Sequence, residues 1–175
     1  MEQLIVIKYG ELTTKKGNRN TFINSLKNNI KRVLLDNDYN IIANRDHIYI
    51  ETKEIDDVLK KLKKVCGIQG ILVAYKVNTN TDTIKEKVLN ILKNMTFKTF
   101  KIETKRSDKS FAYNSMQISA MAGEAVLEAV PHIAVDVHHP DVVLRIEIRD
   151  YKAYIASLSS DALRQHVALV LLYCV

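Results

Sequence analysis

The hydrophobic and polar positions change period several times along the chain, and each change marks an element. Gln3 to Tyr9 is a short apolar, β-rich run closed by Gly10. After the polar stretch TTKKGNRN the apolar residues recur at helical spacing, with Phe22, Ile23, Leu26, Ile30, Val33 and Leu34 on one stripe. Asn37 to Asn40 has turn chemistry. Ile41 to Ala43 and His47 to Glu51 then read as two strands of a hairpin turning through Asn44, Arg45 and Asp46. A second stripe, Ile55, Val58, Leu59, Leu62, Val65 and Cys66, predicts a helix that stops at Gly67. Lys60, Lys61, Lys63 and Lys64 suit the negative end of its dipole. Cys66, lying on the apolar stripe, is expected in the core. With a closing strand at Ile71 to Val77, residues 1–77 follow the order βαββαβ, the split arrangement of a ferredoxin-like domain.

The polar stretch Thr79 to Asp82 separates a second unit from the first. Thr83 and Glu86 have the spacing of a capping box ahead of a helix carrying Ile84, Val88, Ile91, Leu92 and Met95. A central strand follows. Asn114 and Ser115 are cap candidates for a helix whose face is Ile118, Met121, Ala122, Ala125, Val126 and Ala129, ended by Pro131. Ala134 to Val137 and Val142 to Ile148 are strand-like on either side of Pro140, and Tyr151 to Ala156 offers a last strand. The fold class is therefore α+β: a ferredoxin-like βαββαβ domain followed by an α/β domain with a mixed sheet.

Composition adds a charge preference. Among 175 residues, 26 Lys and Arg against 20 Asp and Glu give +6, which favours an anionic partner, nucleic acid first. The two cysteines, Cys66 and Cys174, have no CxxC or CxxH spacing, so neither a disulfide framework nor a zinc site is indicated and a reducing compartment is expected. MEQLIVIKYGEL lacks the basic start and small-residue cleavage site of a secretion signal, so the expected location is cytoplasmic, with no membrane partner.

The densest chemistry lies in Phe100 to Phe111, FKIETKRSDKSF. On a strand of period two, Lys101, Glu103 and Lys105 share one face and Phe100, Ile102 and Thr104 the other, so an apolar face anchors the strand while its charged end projects. Arg106 can offer paired donors to phosphate oxygens, Lys101, Lys105 and Lys109 point charges, and Ser107 and Ser110 hydroxyls. From this stretch alone, a phosphate grip and a solvated strand end both stand open. A second cationic group, Lys8, Lys15, Lys16, Asn18 and Arg19, surrounds the start of the first helix, where it reads either as a phosphate site or as a solvated loop. Asp136, His138, His139 and Asp141 resemble a metal cluster on paper, but adjacent histidines point to opposite sides of a strand and Pro140 constrains the backbone beside them, so no metal site is expected.

Four segments, KYGEL at Lys8 to Leu12, GNRNTF at Gly17 to Phe22, ETKRSDKSF at Glu103 to Phe111 and VDVHHPDVVLRIEIRD at Val135 to Asp150, together resemble the tRNA 4-thiouridine synthetase (thiamine biosynthesis and tRNA sulfurtransferase, ThiI) family. The resemblance covers about residues 1–157. It implies a ferredoxin-like domain over 1–77 and a THUMP domain, an RNA-binding module, over 78–157, the pair gripping the acceptor end of tRNA. It also implies ATP and a cysteine desulfurase as sulfur donor for the full-length family enzyme. That family adenylates its target uridine at an SGGxDS phosphate loop, and this sequence contains no SGG. No catalytic residue and no cofactor are therefore expected in this chain, which should be inactive alone. Residues 158–175 depart from the family, and their unbroken apolar run from Val167 to Val175 leaves a homodimer through this tail as an open expectation. Two alternatives stay open: a ferredoxin-like ligand-binding or assembly module, and the THUMP module of another RNA-modifying enzyme such as a methyltransferase.

Overall fold

A computed structural model describes residues 2–9, 19–44, 47–107, 110–149 and 152–159. The chain divides into two compact units between Val73 and Ala74. The first contains β1 (Glu2–Lys8), α1 (Arg19–Val33), β2 (Tyr39–Ala43), β3 (His47–Thr52), α2 (Ile55–Leu62) and the start of β4 (Gly70–Asn78). Its strand order is β2-β3-β1-β4, the ferredoxin-like arrangement expected from βαββαβ. The β2–β3 hairpin runs from Tyr39 opposite Thr52 to Ala43 opposite Ile48, and β3 in turn pairs antiparallel with β1. Asn44 closes the hairpin: its Oδ1 accepts from the His47 amide at 2.9 Å, while its own amide donates to the His47 carbonyl. Leu26 and Ile30 of α1, Leu34 just after it, and Val58 and Leu62 of α2 are buried in one cluster with Ile5, Ile7, Ile48 and Ile50. Alternation on the strands and the 3.6-residue period on the helices therefore meet on a single core.

α2 is shorter than its stripe suggests. It ends at Leu62, and the next residues form tighter turns, with the Lys64 amide donating to the Lys61 carbonyl and the Val65 amide to the Leu62 carbonyl. Gly67 then takes φ +94°, a conformation that only glycine adopts without strain. These turns keep Val65 buried but swing Cys66 outward, so Cys66 is exposed and not the core residue that a continued helix would make it.

The second unit holds the end of β4, then α3 (Thr81–Leu92), β5 (Thr99–Arg106), α4 (Ser115–Ala129), β6 (Ala134–Val135), β7 (Val142–Arg149) and β8 (Lys152–Ser159). Its strand order is β4-β8-β7-β5-β6. β8 is antiparallel to β4 and β7, whereas β5 is parallel to β7 and β6, so the sheet is mixed as expected. One face packs Phe100, Leu144, Ile146, Ile148, Ala153 and Ile155 against Ile84, Val88 and Leu92 of α3 and Ile118, Ala122 and Val126 of α4.

Several local readings change here. α3 starts two residues before Thr83, and its cap is Asn80, whose side chain accepts from the Asp82 amide at 2.8 Å, so the Thr83 and Glu86 pair lies inside the helix. Only Thr79 and Asn80 separate β4 from α3. β6 stops at Val135: the Asp136 amide still donates to the Phe100 carbonyl at 3.1 Å, but its Oδ1 accepts from the amides of His138 and His139 at 2.8 and 2.9 Å and turns the chain there. β8 continues through Leu158, which is buried opposite Val143, so the strand takes in the first residues assigned to the tail. The rest of that tail, Cys174 included, lies outside the described residues.

Candidate nucleic-acid interface

The candidate site grows from β5 and the connection to α4. β5 is held on both sides in parallel register, Phe100 opposite Val142 through Arg106 opposite Ile148 on β7, and Thr99 and Phe100 opposite Ala134 and Val135 on β6. The Ser107 amide continues the ladder by donating to the Ile148 carbonyl at 2.9 Å. At the other end Asp141 Oδ2 accepts from the Lys98 and Thr99 amides, both at 2.9 Å, and these bonds hold its carboxyl below the usual range. Asp136 is lowered in the same way by the His139 and His138 amides. Both acids of the apparent metal cluster are thus engaged in fixing backbone.

Along the polar face of β5 the alternation read from the sequence becomes an ion-pair chain. Lys101 Nζ meets Glu103 Oε1 at 2.9 Å, and the other Glu103 oxygen meets Arg145 Nε, directly across on β7, at 3.2 Å. The Lys101 ammonium first, and Arg145 with it, hold the Glu103 carboxyl below its ordinary value. Two residues on, Lys105 is exposed. Its cross-strand neighbour Glu147 is bridged to Arg149 at 3.0 Å, and among the described residues no acid forms an ion pair with Lys105. Lys101, Lys105, Arg145 and Arg149 therefore share this face with two carboxylates, Glu103 and Glu147, each already paired, which leaves a surplus of positive charge.

Arg106 has a different employment. Its Nη1 donates to the carbonyls of Phe111 and Tyr113, both at 2.8 Å, so the guanidinium clamps the loop leaving β5. The Phe111 ring packs against the core of this unit and stands edge-on to Tyr113, centroids 6.1 Å apart at 61°. Asn114 then caps α4 in a full capping box with Gln117, and Ser119 Oγ donates to Thr104 Oγ1 at 2.8 Å, tying helix to strand. Ser107 and Ser110 are exposed in this connection, and Lys109 lies outside the described residues.

Of the second cationic group, Lys8 is half-buried at the end of β1, where its carbonyl accepts from the Gln69 amide at 2.9 Å. Arg19 opens α1, its side chain undescribed, and Lys15, Lys16 and Asn18 lie outside the described residues. Arg145, Tyr113 and Met116 were not singled out by sequence. Arg145 had a signal, since LRIEIR alternates apolar Leu144, Ile146 and Ile148 with charged Arg145, Glu147 and Arg149.

Comparison with known proteins bears on the whole chain. A sequence model of the ThiI ferredoxin-like domain matches residues 4–71, and one of the THUMP domain matches residues 78–158. A probable tRNA sulfurtransferase of Thermoanaerobacter sp. (strain X514) is 45% identical over 152 residues, 86% of this chain and 40% of that protein. One from Macrococcus caseolyticus is 40% identical over 159 residues, again covering 40% of its length. The chain thus spans about two-fifths of the curated relatives it matches. Among solved structures, a 4-thiouridine synthetase in complex with RNA and bound ATP superposes with a TM-score of 0.77 at 26% identity, covering 90% of this chain and 41% of that one. PH1313 from Pyrococcus horikoshii superposes at 0.79 and 27%, covering 89% and 53%. TrmN from Thermus thermophilus, at 0.59 and 12%, shares the fold.

Proposed function

Since this chain belongs to the tRNA sulfurtransferase (ThiI) family, matching its ferredoxin-like and THUMP domains, we propose that it is the part that grips tRNA for a uridine thiolation carried out elsewhere in the family protein. The observation that carries this reading is the charged end of β5. There Lys105, in no ion pair among the described residues and with Lys101 and Arg145 behind it, sits on a strand fixed from both sides and beside a clamped loop. Phosphates at fixed spacing are what such an array recognises, and the A-form groove, which hides base edges, makes backbone and shape the readable features. In this reading the acceptor end of tRNA lies on the THUMP domain, and Lys8, Lys15, Lys16, Asn18 and Arg19 make a second phosphate contact. ATP-dependent activation of the uridine and persulfide delivery from a cysteine desulfurase are proposed for the remaining length of the family protein, in the cytoplasm. Among the described residues no helix is long and apolar enough to cross a membrane.

Titration of tRNA binding against salt tests this. Removing one lysine–phosphate contact should flatten the slope of log K against log salt by about 0.7 to 0.9. Lys105→Ala should weaken binding to different tRNAs alike and flatten the slope. Lys63→Ala with Lys64→Ala, two exposed lysines after α2, should change little. Lys61 makes a poorer control, since its ammonium bonds Asn37 and Asp57. Equal effects from both variants would reduce the β5 charges to a solvated surface.

A further inference from the structure

The sheet of the first unit has a second face. On β1 and β3, Ile5, Ile7, Ile48 and Ile50 point to α1 and α2, so Leu4 and Val6 of β1 and His47 and Tyr49 of β3 point the opposite way. Val6 stands directly across from Tyr49, and Tyr49 from Ile42 of β2, so these three form one apolar row over adjacent strands. Lys8 opposite His47 bounds the patch at one end, and Glu51, which accepts from Asn40 at 3.0 Å, bounds it at the other. Both helices of the unit lie on the far side, and a sheet face left to water would keep such residues exposed. Leu4 is instead 0% exposed, Val6 6% and Tyr49 4%, while Ile42 at the margin is 46% exposed. A cover therefore lies over β1 and β3 and stops short of Ile42, and no described helix of this unit supplies it.

We propose that residues 167–175 of the same chain dock on this face over Leu4, Val6 and Tyr49 and complete the core of the first unit. Outside the described residues, 10–18 reads GELTTKKGN, too polar and charged for the task, whereas 167–175 reads VALVLLYCV, nine consecutive apolar residues. Left in water, that run would be a patch that drives association. Nine residues make about 13 Å of helix, and a row over three strands is about 10 Å wide, so cover and seat agree in size. The run carries no charged side chain, and Lys8 and Glu51 stand at the ends of the seat, so docking buries no charge. Docking of this kind is separate from tRNA binding and holds whether or not the chain grips RNA.

The test uses the full chain with photoreactive p-benzoylphenylalanine in place of Ile42, the exposed neighbour of Tyr49. Irradiation should link it to a peptide from residues 167–175 of the same chain, identified by mass spectrometry. In the parent, Cys174 should react with a maleimide more slowly than exposed Cys66 at every protein concentration. Leu171→Asp with Leu172→Asp changes the docked run and spares the sheet, so its circular dichroism should match the parent's. That variant should lose the link, label Cys174 as fast as Cys66, bind anilinonaphthalene sulfonate and melt about 2 to 8 °C lower. A link to a second copy, with protection of Cys174 that fades on dilution, would make the face a dimer interface and overturn the proposal. A link to neither, or a variant whose dye binding and melting match the parent's, would mean that another segment covers the face, and the proposal fails.

Discussion

Arg106 and Lys105 are adjacent and both basic, yet the fold gives them opposite duties. Arg106 Nη1 serves two carbonyls, so Arg106→Ala should cost about 1 to 3 kcal/mol in urea unfolding by leaving backbone acceptors poorly satisfied. Arg106→Lys should recover part of it, because both bonds leave the one nitrogen Nη1 and an ammonium carries three donors. Lys105→Ala should leave stability within about 0.5 kcal/mol and register only in RNA binding. The sequence could not tell them apart, since both read as cations at a strand end and the difference lies in where a loop brings its carbonyls. Glu103 supplies a pH dependence. Its folded carboxyl is held below the ordinary value near 4.5, so its contribution to stability is present above that value and disappears as pH falls through the lowered one. Parent and Glu103→Gln should therefore differ in melting temperature at neutral pH and converge in acid. The gap should be small, because all three partners are partly solvated.

At the scale of elements, stripes and alternations were legible and terminations were not. The stripe Ile55, Val58, Leu59, Leu62 predicts α2 well, because burial repeats at helical period. Val65 and Cys66 extend the same period by accident, and Gly67 at φ +94° ends the arrangement that two tight turns begin. Gly67→Ala should thus destabilise the first unit by roughly 1 to 2 kcal/mol, from backbone strain and from a Cβ only 3.3 Å from Phe22 Cζ; differential scanning calorimetry reads this directly. An unchanged melting temperature would mean that the turn relaxes at no cost. The Asn114 cap was legible because Asn and Gln three apart ahead of an apolar run form a known local bond pair. Asn80 was not, since Thr83 and Glu86 offered the same signal nearby and the choice between them depends on where β4 ends.

For the whole molecule, the order of elements could be read because each element carries its own period, whereas strand neighbours could not. Nothing in FKIETKR says that it lies beside LRIEIR more than forty residues later, and so Arg145, which completes the charge chain, was missed. That parallel pairing also has a consequence in time. A strand joined to its neighbour by a crossover helix cannot be satisfied until the chain beyond the helix exists. At about 5 to 20 residues per second, β5 therefore waits on the ribosome for roughly two to nine seconds before β7 is complete. In that interval it is an edge with an apolar face, the state in which strands pair with the wrong chain, and Lys101 and Lys105 then act as guards by charge repulsion. Nascent chains arrested with Asp141 just clear of the ribosome should accordingly be cut by protease within β5, and those arrested beyond Ser159 should resist. Replacing both lysines by threonine should raise aggregation during synthesis while leaving the melting temperature of the purified protein nearly unchanged.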